Sequence, residues 1–371
     1  MNKLKVVNVV GARPNFMKIA PIHEAMQRCV GMEAYLLHTG QHYDRAMSTL
    51  FFENLGLPEP HYYLGVGSGG HGEQTGRIMI EFESVLKTLA PDLVVVVGDV
   101  NSTIACALVA VKLGCKVAHV EAGLRSFDRT MPEEINRVLT DQIADYLFIT
   151  EASARANLKR EGISEEKIYF VGNVMIDSLL RHRQRAATRP VLSKLGLTPH
   201  QYGLVTLHRP ANVDEPGVLS KLVEALCALS ERLPVLFPVH PRTQQKLAES
   251  GLEGQIARFP QFRLLAPLDY LDFLKCLDNA RLVVTDSGGI QEETTVLGVP
   301  CITARDNTER PVTASQGTNV VVGRDPQRIL QAALNVLRGE IKKGQCPELW
   351  DGQAAERIVN VLWEREGAGC T

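Results

Sequence analysis

The chain has 371 residues, which is enough for about two domains at the usual ~100–200 residues each. Its 40 Lys and Arg residues against 42 Asp and Glu residues give a formal net charge of −2, which argues against a nucleic-acid polymer or a membrane surface as partner. The apolar content of 45% is ordinary for a globular protein, and no run approaches the ~18 apolar residues that span a bilayer.

Short apolar runs alternate with amphipathic stretches of helical length, a pattern typical of parallel α/β architecture. The N-terminal run leads into charged sequence without a small-residue cleavage site, so we interpret it as a first strand rather than a signal peptide. The first half contains two clear helical stretches, at 74–89 and 133–144. Its strands are mostly continuous Val, Ile and Leu runs, as expected when helices cover both faces; they are predicted at 4–10, 33–39, 93–97, 116–120, 146–149 and 168–171.

The pattern breaks over 182–201, a polar and basic stretch with two prolines, and then restarts. Strands are predicted in the second half at 204–207, 235–239, 263–265, 282–285, 300–303 and 319–322, and a last helix at 353–366. We therefore predict two Rossmann-like doubly wound domains, with a boundary near 172–190. The predicted regions are an N-terminal domain over 1–175, a C-terminal domain over 176–350 and a final helical segment over 351–371.

The eight cysteines are scattered and form no CxxC pair. Such spacing predicts free, buried thiols in a reducing cytoplasm, and it gives no support to a structural zinc site. We therefore expect a cytoplasmic protein without a metal centre.

In two doubly wound sheets that face each other across a cleft, ligands bind at the carboxyl ends of the strands. After the first predicted strand, Gly11 allows a tight turn and Pro14 suits the first turn of a helix. Arg13 and Lys18 then lie near the helix N-terminus, where anions bind favourably. The arrangement is consistent with a phosphate or diphosphate contact, and also with a capped turn that carries two solvated cations.

Carboxylates follow three elements of the first half. Asp99 comes directly after an apolar strand, where it could also cap the next helix. Glu121 ends another apolar strand, where burial of an unpaired carboxylate would be costly. Glu133 and Glu134 open a helix, as acidic residues often do. Together, three carboxylates at the mouth of one sheet would supply the acid and the base for proton transfer at carbon.

Histidine and arginine residues follow two strands of the second half. His208 and Arg209 could hold a phosphate or stabilise a leaving group, although a structural histidine is the alternative. His240 follows the next strand in a similar setting. The sequence thus predicts an anion site in this half as well.

A strand that runs into Ser287, Gly288 and Gly289 and then into a helix is the most informative stretch of the second half. Free backbone N–H groups in such a turn form a nest for an anion. Glu293 lies one to two helical turns further on, where a carboxylate could accept sugar hydroxyls.

The glycine-rich stretch 65–70 matches the GxGxxG pattern literally. The dinucleotide fingerprint requires a strand, a turn and a helix in succession, and the segment 61–64 is short and follows two prolines, so no convincing strand is predicted there. We therefore expect no NAD site and no cofactor. The sequence also lacks the P-loop, zincin and serine-hydrolase motifs.

Several motifs together resemble the non-hydrolysing UDP-N-acetylglucosamine 2-epimerase family. In the family's order, from residue 11 to about residue 313, they are GARPNFMK, HTGQHYD, GDVNST, HVEAGLRSFDRTMPEEINR, VGNVMID, LHRPANVD, DSGGIQEE and NTERPV. The resemblance implies the glycosyltransferase-B-like fold, with a C-terminal helix that packs back on the N-terminal domain. It also implies an isomerase, commonly homodimeric, that interconverts UDP-GlcNAc and UDP-ManNAc without NAD or metal. The family eliminates UDP to give a 2-acetamidoglucal and then re-adds it.

The resemblance also implies roles for individual residues. Asp99, Glu121 and Glu133 correspond to the catalytic carboxylates, with the C2 base among them left open, and His208 corresponds to the histidine near the departing phosphate. Phe273 matches the aromatic side chain packed on uracil, and Glu293 the carboxylate at the ribose hydroxyls. The other expected substrate-binding residues are Arg13, Lys18, Arg137, Arg209, Ser287, Gly288, Gly289 and Arg310.

Many bacterial members bind a second, activating UDP-GlcNAc molecule. Asp44 and Glu73 stand where those members have Gln and Arg, which argues against the same activation here. The GARPNF opening and the HPRT stretch at 240–243 are similar to relatives that act on UDP-2,3-diacetamido-glucuronate, so that sugar is the alternative substrate. A hydrolysing epimerase and a glycosyltransferase on the same fold are further alternatives. Candidate residues for the second site are Gln41, His42, Gln74 and His240.

Overall fold

The computed structural model describes residues 3–41 and 56–367, without the side chain of Arg13. The chain divides into two compact units. The first comprises Met1–Ser178 and Glu348–Thr371, and the second comprises Leu179–Pro347. Each unit is built around its own parallel sheet.

The first unit carries a parallel sheet with seven strands in its described part, in the order β3-β2-β1-β4-β5-β6-β7. Its strands are β1 (Leu4–Val10), β2 (Met32–His38), β3 (Tyr62–Tyr63), β4 (Leu93–Val97), β5 (Lys116–Val120), β6 (Tyr146–Ile149) and β7 (Ile168–Phe170). Its helices are α1 (Arg13–Arg28), α2 (His71–Leu89), α3 (Asn101–Lys112), α4 (Pro132–Ile143), α5 (Ala152–Arg160) and the start of α6 (Val174–Ala187).

The strand order of the first unit reverses beside β1, which pairs with β2 on one side and with β4 on the other. All five residues of β4 are buried, because helices cover both faces of a parallel sheet of this kind. Ligands in doubly wound sheets bind outside the carboxyl ends of the strands at this reversal. The turns after β1 and β4 are therefore the expected ligand-binding positions of this unit.

The second unit contains six parallel strands among its described residues, in the order β10-β9-β8-β11-β12-β13. These are β8 (Gly203–Thr206), β9 (Val235–Pro238), β10 (Phe262–Leu265), β11 (Leu282–Thr285), β12 (Cys301–Thr303) and β13 (Asn319–Val321). The helices are α7 (Val191–Lys194), α8 (Pro210–Val213), α9 (Pro216–Ser230), α10 (Pro241–Glu249), α11 (Leu252–Ile256), α12 (Tyr270–Asp278), α13 (Gly288–Leu297), α14 (Pro311–Ser315) and α15 (Pro326–Leu337). Here the order reverses beside β8, which pairs with β9 and β11.

The last helix, α16 (Ala354–Glu366), belongs to the first unit. Arg28 of α1 forms an ion pair with Glu356. Asp177 of α6 accepts hydrogen bonds from the backbone N–H groups of Ala354 and Ala355, at 3.2 and 2.7 Å. The carboxylate thus satisfies two of the donors that a helix N-terminus leaves open. No helix in the described ranges is long and apolar enough to cross a bilayer.

The prediction of no strand before the glycine-rich stretch is wrong, because Tyr62–Tyr63 forms a short edge strand parallel to β2. Two residues are too few to give a readable hydrophobic pattern. The third glycine of a dinucleotide fingerprint allows close packing of the helix on the strand. Here a Cβ added at Gly70 would meet no atom within 4 Å, so this glycine does not serve that purpose.

Three buried histidines make the fold sensitive to acid. Burial lowers the pKa of His23, His38 and His182 to about 4 from the ordinary value of 6.5. As pH falls from about 6.5 to about 4, the unfolded chain therefore binds protons that the folded chain does not, and the free energy of unfolding decreases. Burial raises the pKa of Glu293 to about 8 and that of Asp177 to about 6, and these two groups act in the opposite direction.

We expect the melting temperature to be highest near neutral pH and to fall towards pH 4, since three histidines outweigh two carboxyl groups. Differential scanning calorimetry across this range measures the effect. A His23→Gln variant, which removes one titrating group, should lose less stability over the same interval. A melting temperature that rises steadily down to pH 4 would contradict the prediction.

Candidate active site

Gly98 lies directly after β4 in the first unit, and the side chains of two other elements approach it closely. Its backbone is left-handed, with φ of +67°. A Cβ at this position would lie 3.2 Å from Lys18 Nζ and 3.6 Å from Glu121 Oε2. Glycine therefore allows these side chains, from α1 and from the end of β5, to meet beside the turn that carries Asp99.

Lys18 and Glu121 form a buried ion pair. Both side chains are almost fully removed from solvent, so each compensates the cost of burying the other. Glu121 also has a left-handed backbone, with φ of +70°, which is uncommon for a residue with a side chain and is found preferentially at functional positions. The strained backbone and the buried cation both indicate a carboxylate held in one orientation.

Asp99 is held by α4. Arg137 donates to Asp99 Oδ2 from Nε at 3.1 Å and from Nη2 at 2.8 Å, and Asn136 Nδ2 donates to the Asp99 carbonyl at 2.9 Å. Because Arg137 is itself only 2% exposed, its position is fixed by the core. The predicted residues Asp99, Glu121, Lys18 and Arg137 are thus brought to one edge of the sheet.

The two adjacent glutamates of α4 have different surroundings. Glu134 is buried and accepts hydrogen bonds from Ser126 N and Phe127 N, both at 2.9 Å, so it closes the loop before the helix. Glu133 is half-buried in the first helical turn and forms no ion pair with another described residue. The structure therefore assigns a loop-closing role to Glu134 and leaves Glu133 as the candidate acid or base.

Two candidates for a second nucleotide-sugar site also come together. Gln41 Oε1 accepts hydrogen bonds from Ser102 N at 3.1 Å and Ser102 Oγ at 2.7 Å. Gln74 Nε2 donates to the Gln41 carbonyl at 3.1 Å. These amides tie the segment after β2 to the N-terminus of α3. The side chain of Arg13, the first residue of α1, and all of His42 and Asp44 lie outside the described part.

In the second unit, His208 follows β8 closely and is paired with Asp286, which follows β11. The His208 Nδ1 atom lies 3.1 Å from Asp286 Oδ1, and 41% of the histidine side chain is exposed. Asp286 is fully buried and accepts backbone hydrogen bonds from His208 N at 3.0 Å and Arg209 N at 2.9 Å. Burial opposes its ionisation most strongly, but the hydrogen bond and charge of His208, with the hydrogen bonds from Arg209 N and Asn212, together outweigh it and lower the pKa of Asp286.

Arginines and glutamates surround the glycine turn at the start of α13. Glu309 is paired with Arg305 at 2.7 Å and with Arg209 at 3.6 Å, and Arg310 is paired with Glu292. Although burial opposes its ionisation, the pKa of Glu309 lies far below its usual range because Arg310 and Arg305 are close. A Cβ at Gly288 would lie 2.7 Å from Glu309 Oε1. The arginines thus gather near the N-terminus of α13, where the helix dipole also favours an anion.

Glu293 is buried on α13 and accepts a hydrogen bond from Tyr270 Oη at 3.2 Å. Burial raises its pKa to about 8, so the carboxyl group is mostly protonated near neutral pH and can donate a hydrogen bond to a polar partner. Phe273 lies on α12, three residues after Tyr270, and is half-buried. Tyr270 therefore links the start of α12 to α13.

The last predicted residue, His240, caps α10 by accepting a hydrogen bond from Arg242 N at 3.3 Å. Its ring centroid lies 6.2 Å from that of His208. It is therefore close to the proposed phosphate histidine.

Sequence reasoning assigned no role to Asp286, Tyr270, Arg305 or Glu309. Asp286 follows a buried strand directly, much as Asp99 follows another after Gly98, and this signal could have identified it. The other three are recognisable only from the contacts that they make in the folded chain.

Two parallel sheets, each with polar side chains gathered after its strands, define an α/β protein of the glycosyltransferase-B-like class. The sequence model of UDP-N-acetylglucosamine 2-epimerase matches residues 24–363. The chain therefore belongs to the UDP-N-acetylglucosamine 2-epimerase family.

Individual relatives match over nearly the whole chain. A UDP-N-acetylglucosamine 2-epimerase of Methanocaldococcus jannaschii is 44% identical over 97% of this chain and 99% of its own length. The crystal structure of the M. jannaschii UDP-GlcNAc 2-epimerase in complex with UDP-GlcNAc and UDP has a TM-score of 0.89 and covers 97% of this chain and 99% of that one, at 44% identity. A UDP-2,3-diacetamido-2,3-dideoxy-D-glucuronate 2-epimerase of Pseudomonas aeruginosa is 42% identical over 97% of this chain and 99% of its own length.

Proposed function

We propose that the protein is a non-hydrolysing UDP-N-acetylglucosamine 2-epimerase that interconverts UDP-GlcNAc and UDP-ManNAc. The observation that carries the proposal is the pairing of Lys18 with Glu121, and of Arg137 with Asp99, at one sheet edge. Such carboxylates, with fixed orientations and partners, are suited to proton transfer at carbon. The family membership and the activity of the M. jannaschii relative support the same conclusion.

The reaction requires one proton to leave C2 and another to arrive on the opposite face. A carboxylate removes the C2 proton, the C–H electron pair becomes the C1–C2 double bond, and UDP departs with the electrons of the C1–O bond. Re-addition of the phosphate oxygen at C1, with protonation of C2 from the other face, completes the epimerisation. Two acid–base groups are therefore needed, and Asp99, Glu121 and Glu133 are the candidates.

The residues of the second unit are proposed to bind the UDP group. The N-terminus of α13 at Ser287, Gly288 and Gly289 would accept the diphosphate, since helix N-termini bind anions through their free N–H groups. His208, oriented by Asp286, would stabilise negative charge on the departing phosphate. The nucleoside would be held by Glu293, Phe273 and Arg310, and the phosphates additionally by Arg209. In the first unit, the proposed substrate-binding residues are Arg13, Lys18 and Arg137.

The alternative substrate is UDP-2,3-diacetamido-glucuronate, because the P. aeruginosa relative named for that sugar is nearly as similar to this chain. We also propose that the enzyme needs no cofactor and acts as a homodimer in the cytoplasm. Light scattering coupled to size-exclusion chromatography measures the oligomeric state.

Incubation with UDP-GlcNAc in heavy water tests the proposal. We expect UDP-ManNAc to form and deuterium to enter at C2 of both sugars, as NMR would show. Turnover of the diacetamido-uronate alone would move the assignment to that substrate. Free ManNAc with stoichiometric UDP would instead establish hydrolysis, and no C2 exchange with either sugar would exclude epimerisation.

A further inference from the structure

His119, on β5 two residues before Glu121, is fully buried and has a hydrogen-bond acceptor at each ring nitrogen. Nδ1 lies 2.7 Å from Asp141 Oδ1, and Nε2 lies 2.8 Å from the carbonyl oxygen of Gly98. A carbonyl and an ionised carboxylate can only accept hydrogen bonds. Both ring nitrogens must therefore carry a hydrogen, which describes an imidazolium.

The charges around His119 favour the same protonation state. Asp141 also accepts from Arg125 Nη2 at 2.7 Å, and Arg125 is paired with Glu161. Burial opposes ionisation of Asp141, but His119 and Arg125 together outweigh it and lower the pKa of this carboxyl group. With a charged imidazole, two cations face two carboxylates, and a buried cluster is tolerated only when its charges are compensated in this way.

The cluster connects the three turns that carry the proposed acid–base groups. Gly98, whose carbonyl accepts from His119, directly precedes Asp99. Asp141 Oδ2 accepts from Gly123 N at 3.0 Å, and Gly123 lies two residues after Glu121. Asp141 itself belongs to α4, the helix that begins at Pro132 and carries Glu133. One imidazolium therefore lies at the junction of all three segments.

We infer that His119 is a positioning residue, held as an imidazolium, that fixes Asp99, Glu121 and Glu133 relative to one another through Gly98 and Asp141. The inference rests on the proposed function, in which these carboxylates act on one substrate. His119 does not need to touch the sugar. It acts by fixing the geometry of the carboxylates that contact the sugar. A displacement of about 1 Å in such groups can slow the chemical step by ~10²-fold.

The protonation state is tested on the unaltered protein. Histidine ring nitrogens are labelled with ¹⁵N and their protonation is observed by NMR at neutral pH. Because both ring nitrogens of His119 face acceptors, we expect both to carry a hydrogen. A ring with one unprotonated nitrogen at neutral pH would overturn the inference. Nuclear Overhauser contacts of the ring with Gly98 and Asp141, and comparison with His119→Gln where that variant folds, assign the signal.

The positioning role is tested with two matched variants. The amide nitrogen of Asn occupies approximately the place of Nδ1, and that of Gln the place of Nε2. His119→Asn therefore keeps the donor to Asp141, and His119→Gln keeps the donor to Gly98. Because each loses one connection, we expect kcat for C2 deuterium exchange to fall by ~10- to 100-fold in both, while the dissociation constant for UDP is unchanged.

Calorimetric titration with UDP and a melting curve accompany the kinetics. Folded variants that exchange the C2 hydrogen at the wild-type rate would overturn the positioning role. If both variants fail to fold, the NMR result on the wild-type protein still decides the protonation state, and Asp141→Asn then tests the connection. Failure of the proposed function would appear differently, as an absence of C2 exchange in the wild-type enzyme.

Discussion

Replacement of Asp99, Glu121 or Glu133 by the corresponding amide is expected to lower kcat by ~10²-fold or more, as loss of an acid–base group should. The amides match the carboxyl groups in size but cannot take a proton from carbon or return one. UDP should still bind, because its proposed contacts lie mainly in the second unit. Steady-state kinetics, C2 deuterium exchange and calorimetric titration with UDP measure the three quantities.

The three variants should differ in stability. Glu121→Gln leaves the buried Lys18 without its counter-charge, and Asp99→Asn removes one of the two carboxylates paired with Arg137, the other being Glu134. Both variants should therefore melt at a lower temperature, Glu121→Gln the more so. Glu133→Gln removes no ion pair among the described residues and should melt like the wild type. Glu165→Gln, at an exposed carboxylate paired with Arg155 and Lys159, is the control that should change neither rate nor UDP affinity. Loss of UDP binding in a folded amide variant would contradict the assignment.

Most of the sheet architecture could be predicted from the sequence because parallel strands covered on both faces are continuous apolar runs. The bounds of β1, β4, β5, β6 and β11 agree with the prediction to the residue. The others differ by one residue at one or both ends, where the pattern fades into turns. The edge strand Tyr62–Tyr63 was not predicted because two residues are too few to show a hydrophobic pattern.

The candidate site could be predicted only in part. Polar residues that follow strands could be predicted to lie together, since the carboxyl ends of parallel strands meet at one edge of the sheet. The different roles of Glu133 and Glu134 could not be predicted, because they depend on which carboxylate accepts hydrogen bonds from Ser126 and Phe127. The left-handed backbone of Glu121 and the partners of His119 likewise arise from tertiary packing, which the local sequence does not predict.

Asp286→Asn is expected to lower kcat by about 100-fold, because His208 would no longer be oriented to stabilise negative charge on the departing phosphate. Asp286 accepts hydrogen bonds from His208 N, Arg209 N and Asn212 Nδ2, and its other partner is the His208 ring. An asparagine in its place retains one acceptor oxygen and turns an NH₂ group towards one of these donors. The protonated imidazole then loses its counter-charge, and the loop after β8 loses at least one anchor.

A double-variant cycle separates these two consequences. If Asp286 acts on the reaction through His208, then Asp286→Asn should add little to the loss already caused by His208→Gln, because residues that act as one unit are not additive. If the two losses multiply, then Asp286 only anchors the loop. We expect the first outcome, in which Asp286 acts through His208. The two side chains are paired at 3.1 Å, with the carboxylate fully buried and the histidine partly exposed. A buried carboxylate in this position directs the accessible imidazole outward with its proton available.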